Sequence, residues 1–459
     1  MNQDDLNQLC QRHNALVLAV DETAIHIAVV DAPAQAFMEA LRFATQKHID
    51  IECWSAQRFE KHKLTPAFNA PALAEENGNA TERVNHILQQ ALLRRASDIH
   101  IEPGETACRV RLRVDGVLQT LAPLSVQAGL TLTARLKVLG KLDIAERRLP
   151  QDGQFAIELE GKSVSFRLST LPSRHGEKVV LRMLQQTEHA LEVEALGMSA
   201  QQQAHFSQAL NSPQGLILVT GPTGSGKTVT LYSALGALNK PQVNLCSVED
   251  PIEIPLPGLN QTQINPKAGL SFQSVLRALL RQDPDVIMVG EIRDGETAEI
   301  AIKAAQTGHL VLSTLHTNST TDTLVRLEQM GVPRWMLASA LRLVIAQRLV
   351  RKLCPCCRTA QAEPIRLPAT LFPRPLPQWQ AAGCERCYGG FYGRLALFEL
   401  LAVEPALRLA IQEGHSAQEI ETLARQQGMV SLFESGCQAV EEGLTTLEEI
   451  YRVLGFPNG

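Results

Sequence analysis

The sequence predicts an α/β fold built on a parallel sheet, with a phosphate-binding loop at a strand's carboxyl end and a smaller α/β unit ahead of it. Three observations predict this. From Gly215 on, continuous aliphatic runs (Leu216–Thr220, Val243–Val248, Val286–Val289, Leu310–Thr314) alternate with helical segments. That is the pattern of strands covered on both faces. The first run enters G-P-T-G-S-G-K-T at 221–228 and then a helical segment to Asn239. Before residue 187 the runs are shorter and alternate apolar with polar residues, as half-buried strands do.

Taken in order, residues 1–62 mix helical periodicity with a short apolar strand at Ile25–Val30 and read as a small α/β unit. Residues 63–80 carry two prolines, a glycine and little periodicity, the marks of a linker. A second N-terminal α/β domain spans 81–187. It opens with a helix from Thr81 to Arg95 and continues with strands at Ala107–Val114, Gly116–Leu121, Phe155–Leu159, Val164–Leu171 and Lys178–Leu184. Asp115-Gly116 marks a hairpin between the first two, and Gly129–Leu142 is helical. Residues 188–212 are a connector. The domain at 213–459 holds the phosphate loop, a cysteine-bearing subdomain at 350–395 and four closing helices near 404–413, 417–427, 432–442 and 446–454. The apolar stretch Trp335–Val350, broken by Arg342 and Arg348, reads as a buried or interface helix.

Bulk properties narrow the function. The 459 residues are 45% hydrophobic but only 4% aromatic, so the cores are aliphatic. A formal net charge of −5 argues against a chain whose main task is coating nucleic acid. The acidic start, Met1-Asn2-Gln3-Asp4-Asp5, is unlike a secretory signal, and no run of about 18 apolar residues spans a membrane. A cytoplasmic protein is expected, reaching a membrane only through a partner.

The loop at Gly221, Pro222, Thr223, Gly224, Ser225, Gly226, Lys227 and Thr228 has a physical reason for each residue type. Glycines let successive N–H groups converge on one point, and the following helix adds positive potential there. Lys227 supplies a charge for the β- and γ-phosphates, and Thr228 a hydroxyl for Mg²⁺. The ligand is therefore ATP or another nucleoside triphosphate. Hydrolysis needs more, and candidates follow the next three strands at the edge where parallel sheets bind ligands. These are Glu249 and Asp250, then Glu291, then His316. Glu291 is favoured for activating water, Glu249 or Asp250 for magnesium, and His316 for sensing the γ-phosphate. A plain surface charge is the alternative for each. His100 and His309 are read as structural.

Arg277 and Arg281 are spaced to share one helix face, and arginine suits the charge that spreads over a transferring phosphoryl group. Five of the ten cysteines lie within residues 354–387. Cys354-x-x-Cys357 and Cys384-x-x-Cys387 supply four thiolates for a closed, structural Zn²⁺ site. Cys356 lies inside the first pair and should point away.

Over residues 81–459 the chain closely resembles the ATPases of type II secretion and type IV pilus assembly. S-V-E-D-P-I-E at 247–253 resembles the family's Asp box. L-R-A-L-L-R-Q-D-P-D-V-I-M-V-G-E-I-R-D at 276–294 resembles its Walker B segment, and T-G-H-L-V-L-S-T-L-H-T-N at 307–318 its His box. S-D-I-H-I-E-P at 97–103, R-L-R-V-D-G at 111–116 and L-D-I-A-E-R-R-L-P-Q-D-G at 142–153 are similar to further hallmarks. The resemblance implies a RecA-like ATPase domain preceded by a PAS-like α/β domain that rotates against it. It implies a homo-hexamer on the cytoplasmic face of the inner membrane, acting on a polytopic platform protein and, indirectly, on pilin-like subunits. It implies that Arg167 and Arg182 reach toward nucleotide; solvated or salt-bridged arginines are the alternative. The cysteine site favours the assembly or secretion branch over retraction motors. Residues 1–80 are short for the family's leader, which docks on membrane partners. Two other readings stand beside the motor: a nucleic-acid translocase, and a nucleotide-gated scaffold without turnover. No aromatic-interleaved basic channel supports the first, and the Glu249, Glu291 and His316 set argues against the second.

Overall fold

A computed structural model describes residues 10, 15–20, 24–30, 37–38, 41, 45, 47–53, 79–159, 161–184 and 192–456. Most of the expected linker, and the start of the expected connector, lie outside the described residues. The N-terminal unit carries strands β1 (Ala15–Val20), β2 (Ala24–Val29) and β3 (His48–Cys53). β1 pairs antiparallel with β2, and β2 parallel with β3. Ile25, Ile27, Val29, Phe37 and Leu41 form its core.

The next helix, Ala80–Leu93, is started by an Asn79/Glu82 capping box that satisfies two otherwise unpaired amide groups. It leads into β4 (Ala96–Pro103), β5 (Cys108–Val114) and β6 (Val117–Thr120). The helix Val126–Leu139 follows, then β7 (Gln151–Leu159), β8 (Lys162–Ser173) and β9 (Gly176–Leu184). The sheet order is β6-β5-β4-β9-β8-β7, antiparallel throughout. Alternation decides its faces. Ile99, Ile101, Val110, Leu112, Phe166, Leu168, Val179 and Leu181 point into a core with the two helices. Each such apolar side chain contributes roughly 1.5–3 kcal/mol by leaving water. The residues between them, including Asp98, Glu102, Arg111, Arg113 and Arg182, form ion pairs on the other face. β4 was missed as a strand in the sequence, because S-D-I-H-I-E-P carries only two core residues.

The larger sheet has β10 (Gly215–Thr220), β11 (Leu245–Glu249), β12 (Leu259–Gln263), β13 (Val286–Val289), β14 (Leu310–Leu315) and β15 (Leu341–Leu353). The short β16 (Arg358–Ala360) and β17 (Trp379–Ala381) pair apart from it, and β18 (Phe391–Ala402) returns to its edge. The order is β12-β11-β13-β14-β10-β15-β18. The strands up to β15 are parallel, and β18 runs antiparallel to β15. Every residue of β10, β11, β13 and β14 is buried.

The parallel sheet expected from the aliphatic runs is present, with β18 added antiparallel at one edge. One expectation is corrected here. The stretch Trp335–Val350 is not one helix: a helix at Arg334–Ala340 ends at Leu341, and the rest is β15. Val344, Ile345, Ala346 and Val350 are buried as a strand covered on both sides, a pattern that periodicity cannot separate from a buried helix. Helices at Pro405–Glu413, Ala417–Gln426, Leu432–Glu441 and Leu447–Leu454 close the chain.

Candidate nucleotide site

The parallel register lines up the carboxyl ends of four strands. Val248 pairs with Val289, Val289 with Ser313, and Val219 with Thr314. The loop that leaves β10 turns on three glycines with left-handed φ, Gly221 (+149°), Gly224 (+80°) and Gly226 (+92°), before the helix Lys227–Leu238 begins. Two of them are also forced by close approach. A Cβ on Gly221 would lie 2.5 Å from the Gln347 carbonyl oxygen, and one on Gly226 would lie 2.7 Å from Gln347 Nε2. Gln347, on β15 and buried, accepts a hydrogen bond from the Thr230 hydroxyl at 2.7 Å. It therefore fixes both the loop and the helix behind it. The Ser225 hydroxyl is buried inside the loop without a partner. An unsatisfied donor there, in a cradle that tolerates no Cβ, fits an anionic oxygen.

Lys227 donates to the carbonyls of Gly221 (2.7 Å) and Pro222 (3.1 Å), and its Nζ lies 3.5 Å from His316 Nδ1. Burial pulls its pKa down to about 8, with Arg348 adding to the fall and Glu291 opposing it. His316 Nε2 is 3.5 Å from Glu291 Oε2. Glu291 also accepts from Arg293. That bond, more than any other influence, holds its carboxyl below the ordinary range. Arg293 reaches Asp250 as well, at 3.5 Å. Glu249 is 4% exposed and accepts from Tyr232 Oη (2.5 Å), Ser247 Oγ (2.6 Å) and Gln261 Nε2 (3.1 Å). Burial, then the bond to Glu249, pushes the Tyr232 phenol up, so it stays a donor.

A cleft thus joins Thr223–Val229 of the loop to Glu249, Asp250, Glu253, Glu291 and His316. Arg182 lines it too, its Nε 3.0 Å from Asp98. Arg167 stands beside it, 3.5 Å from Glu253. The other two arginines are not brought in. Arg277 pairs with Glu296 at 2.5 Å, and Arg281 donates to the Arg277 carbonyl at 2.9 Å. Their shared helix face is also corrected, because the helix Phe272–Leu279 ends before Arg281. His309 bonds the Ala304 carbonyl through Nδ1 at 3.0 Å. Sequence reasoning missed Gln347, Tyr232 and Arg394, which lines the cleft from β18. Reading A-Q-R-L-V-R as a strand would have put Gln347 beside the loop.

The ligand sulfurs of Cys354, Cys357, Cys384 and Cys387 all lie within 4.8 Å of one another, with Cys354 Sγ and Cys384 Sγ 3.8 Å apart. Such a set can hold a metal ion; four thiolates at about 2.3 Å from a tetrahedral ion stand near that separation. Among the described residues no helix is long and apolar enough to cross a membrane.

Residues 74–452 match the family model described as Type II/IV secretion system protein. The chain belongs to this family. It is 63% identical over 460 residues, all of both chains, to the protein transport protein HofB homolog of Escherichia coli K12. It is 48% identical to the type IV pilus assembly ATPase PilB of Acinetobacter baylyi, over 81% of this chain and 65% of that one. Among solved structures, the pilus retraction motor PilT with bound ADP is 29% identical, with a TM-score of 0.55, over 82% of this chain and 97% of the other. The protein is an ATPase of the secretion and pilus-assembly type, and ATP is the nucleotide its family membership implies. In this cleft Lys227, His316 and Glu291 stand in a row, with 3.5 Å between each and the next.

Proposed function

We propose that this secretion ATPase hydrolyses ATP at the cleft and uses the work to assemble a pilus or pseudopilus. The observation that carries the reading is the convergence of Lys227, His316 and Glu291, each 3.5 Å from the next. Lys227 and the loop N–H groups hold the β- and γ-phosphates. His316, between the lysine and the acid, registers whether the γ-phosphate is present. Glu291 orients and deprotonates water once Arg293 releases it. Thr228, with Asp250 or Glu249, would hold Mg²⁺, which neutralises the phosphate oxygens when bound. Arg167 and Arg182, on β8 and β9, bring the preceding domain's charge to the transferring group. Arg277 and Arg281 do not line their own cleft, which fits arginines offered to a neighbouring subunit of a hexamer. The four cysteines hold Zn²⁺ as a structural site and favour the assembly or secretion branch. Work of this kind is done at the cytoplasmic face of the inner membrane, against a polytopic platform protein that moves pilin-like subunits.

The test is Glu291→Gln in the full chain. It keeps shape and hydrogen-bonding capacity but removes the base. ATP binding should persist while phosphate release falls about a hundredfold or more. Retained turnover would sink the assignment, and turnover absent from the unaltered chain would favour the nucleotide-gated scaffold. Stimulation by single-stranded DNA would favour the translocase.

A further inference from the structure

Two arginines from different domains line the nucleotide cleft: Arg182 of β9 and Arg394 of β18. They are connected through the tip of one hairpin. Arg182 Nε bonds Asp98 Oδ1 at 3.0 Å. The other Asp98 oxygen lies 3.9 Å from Arg113 Nε, and Arg113 donates to the Gly116 carbonyl at 3.0 Å. Gly116 and Asp115 form the two-residue tip between β5 and β6, both with positive φ (+87° and +48°), as this tight hairpin turn requires. From the tip, Asp115 crosses to the other domain and accepts the backbone N–H of Gly393 at 2.9 Å. Arg95, 3.5 Å from the same Asp115 oxygen, lays its guanidinium 3.8 Å over the Tyr392 ring. The clamped residues, Tyr392 and Gly393, immediately precede Arg394.

We propose that Asp115 is a positioning residue for nucleotide binding. Through the Gly393 N–H it sets the strand that aims Arg394 into the cleft, while the other side of the same tip holds the Arg182 network. The proposal rests on the cleft being the ATP site. Its chemistry is simple. A carboxylate that accepts a backbone N–H makes a stronger bond than a neutral acceptor does. Arg95 braces that carboxylate from the side, 3.5 Å from the same oxygen. Gly393 stands at φ +82°, a backbone conformation that a side chain rarely adopts, so glycine lets the strand present its N–H to Asp115. The hairpin therefore senses nucleotide without touching it. Whatever draws Arg394 onto phosphate or base tightens the contact between the two domains, and the converse holds by linkage.

The experiment is a double-mutant cycle on the full chain, read by equilibrium titration with a fluorescent, non-hydrolysable ATP analogue. Asp115→Ala and Arg394→Ala should each weaken binding about tenfold, as loss of one charge-assisted contact does. The double variant should bind no worse than the weaker single, because both remove the same interaction. Asp115→Asn, which keeps an acceptor for Gly393, should stay within about threefold of the parent. A second measurement needs no variant. Hydrogen exchange at the Gly393 amide should slow further when the parent chain is saturated with the analogue. Effects that multiply to about a hundredfold in the double variant overturn the proposal. So does unchanged affinity in Asp115→Ala, or exchange at Gly393 that ignores nucleotide. If the parent chain binds no analogue at all, the ATP-site reading fails first and takes the proposal with it.

Discussion

Lys227 holds its ammonium against two backbone carbonyls rather than against a carboxylate, and burial draws its pKa to about 8 from an ordinary 10.5. The sign of the consequence follows. The unfolded chain binds this proton more tightly than the fold does. Below about pH 8 the group therefore costs stability, and the cost fades as pH rises from there toward 10.5. Polyanionic phosphate reverses the shift. At about pH 8, ATP binding should take up a fraction of a proton per site, seen as a dependence of binding heat on buffer ionisation enthalpy. Lys227→Arg should abolish that dependence, since arginine stays protonated. The Glu291 pKa is lowered as well, but for a carboxyl that favours the charged form, and the bond from Arg293 is its main cause. Arg293→Ala should raise the pH at which turnover falls on the acid side, because the carboxyl then protonates more easily. A pH profile identical to the parent's would show that Arg293 does not tune it. These two side chains were legible in the sequence by motif, but their electrostatics were not. A spacing names the residues, while burial and the partner from another strand set the charge.

At the scale of the element, β15 and the phosphate loop are one unit. Gly221 faces a carbonyl oxygen of Gln347, and Gly226 faces that residue's side-chain amide. The two glycines should respond differently to the same rescue. Gly226→Ala should lower thermal stability and nucleotide affinity, at a cost of about 1–3 kcal/mol. Adding Gln347→Ala should recover part of it, because the obstacle is removed. Gly221→Ala should gain nothing from Gln347→Ala, because its obstacle is backbone. Equal rescue at both positions would contradict the arrangement. This is also where sequence reasoning met its limit. The runs 216–220, 286–289 and 310–314 were recognisable as strands because each is short and ends in a polar loop. Trp335–Val350 was too long and too uniformly apolar to say whether its period was two or 3.6. β18 pairs with β15 across the insertion 354–390, a non-local choice that local pattern does not carry.

For the whole molecule, that insertion matters because Cys354 directly follows β15 and Gly390 directly precedes β18. The Cys354 N–H bonds the Gly390 carbonyl at 2.8 Å, so the cysteine cluster sits at the neck of the excursion. Chelation, or Cys384→Ser, should open residues 355–383 to protease while the β10-centred sheet keeps its protection in hydrogen exchange. Less than about half an equivalent of zinc per purified chain would count against the site. The opposite margin of the sheet carries another consequence. β12, L-N-Q-T-Q, pairs only with β11 among the described strands, and its outer residues are polar. An edge only five residues long offers few unpaired N–H and C=O groups to a strand from another molecule. Brevity at this margin, more than the chemistry of its side chains, is what limits growth of the sheet from one copy to the next.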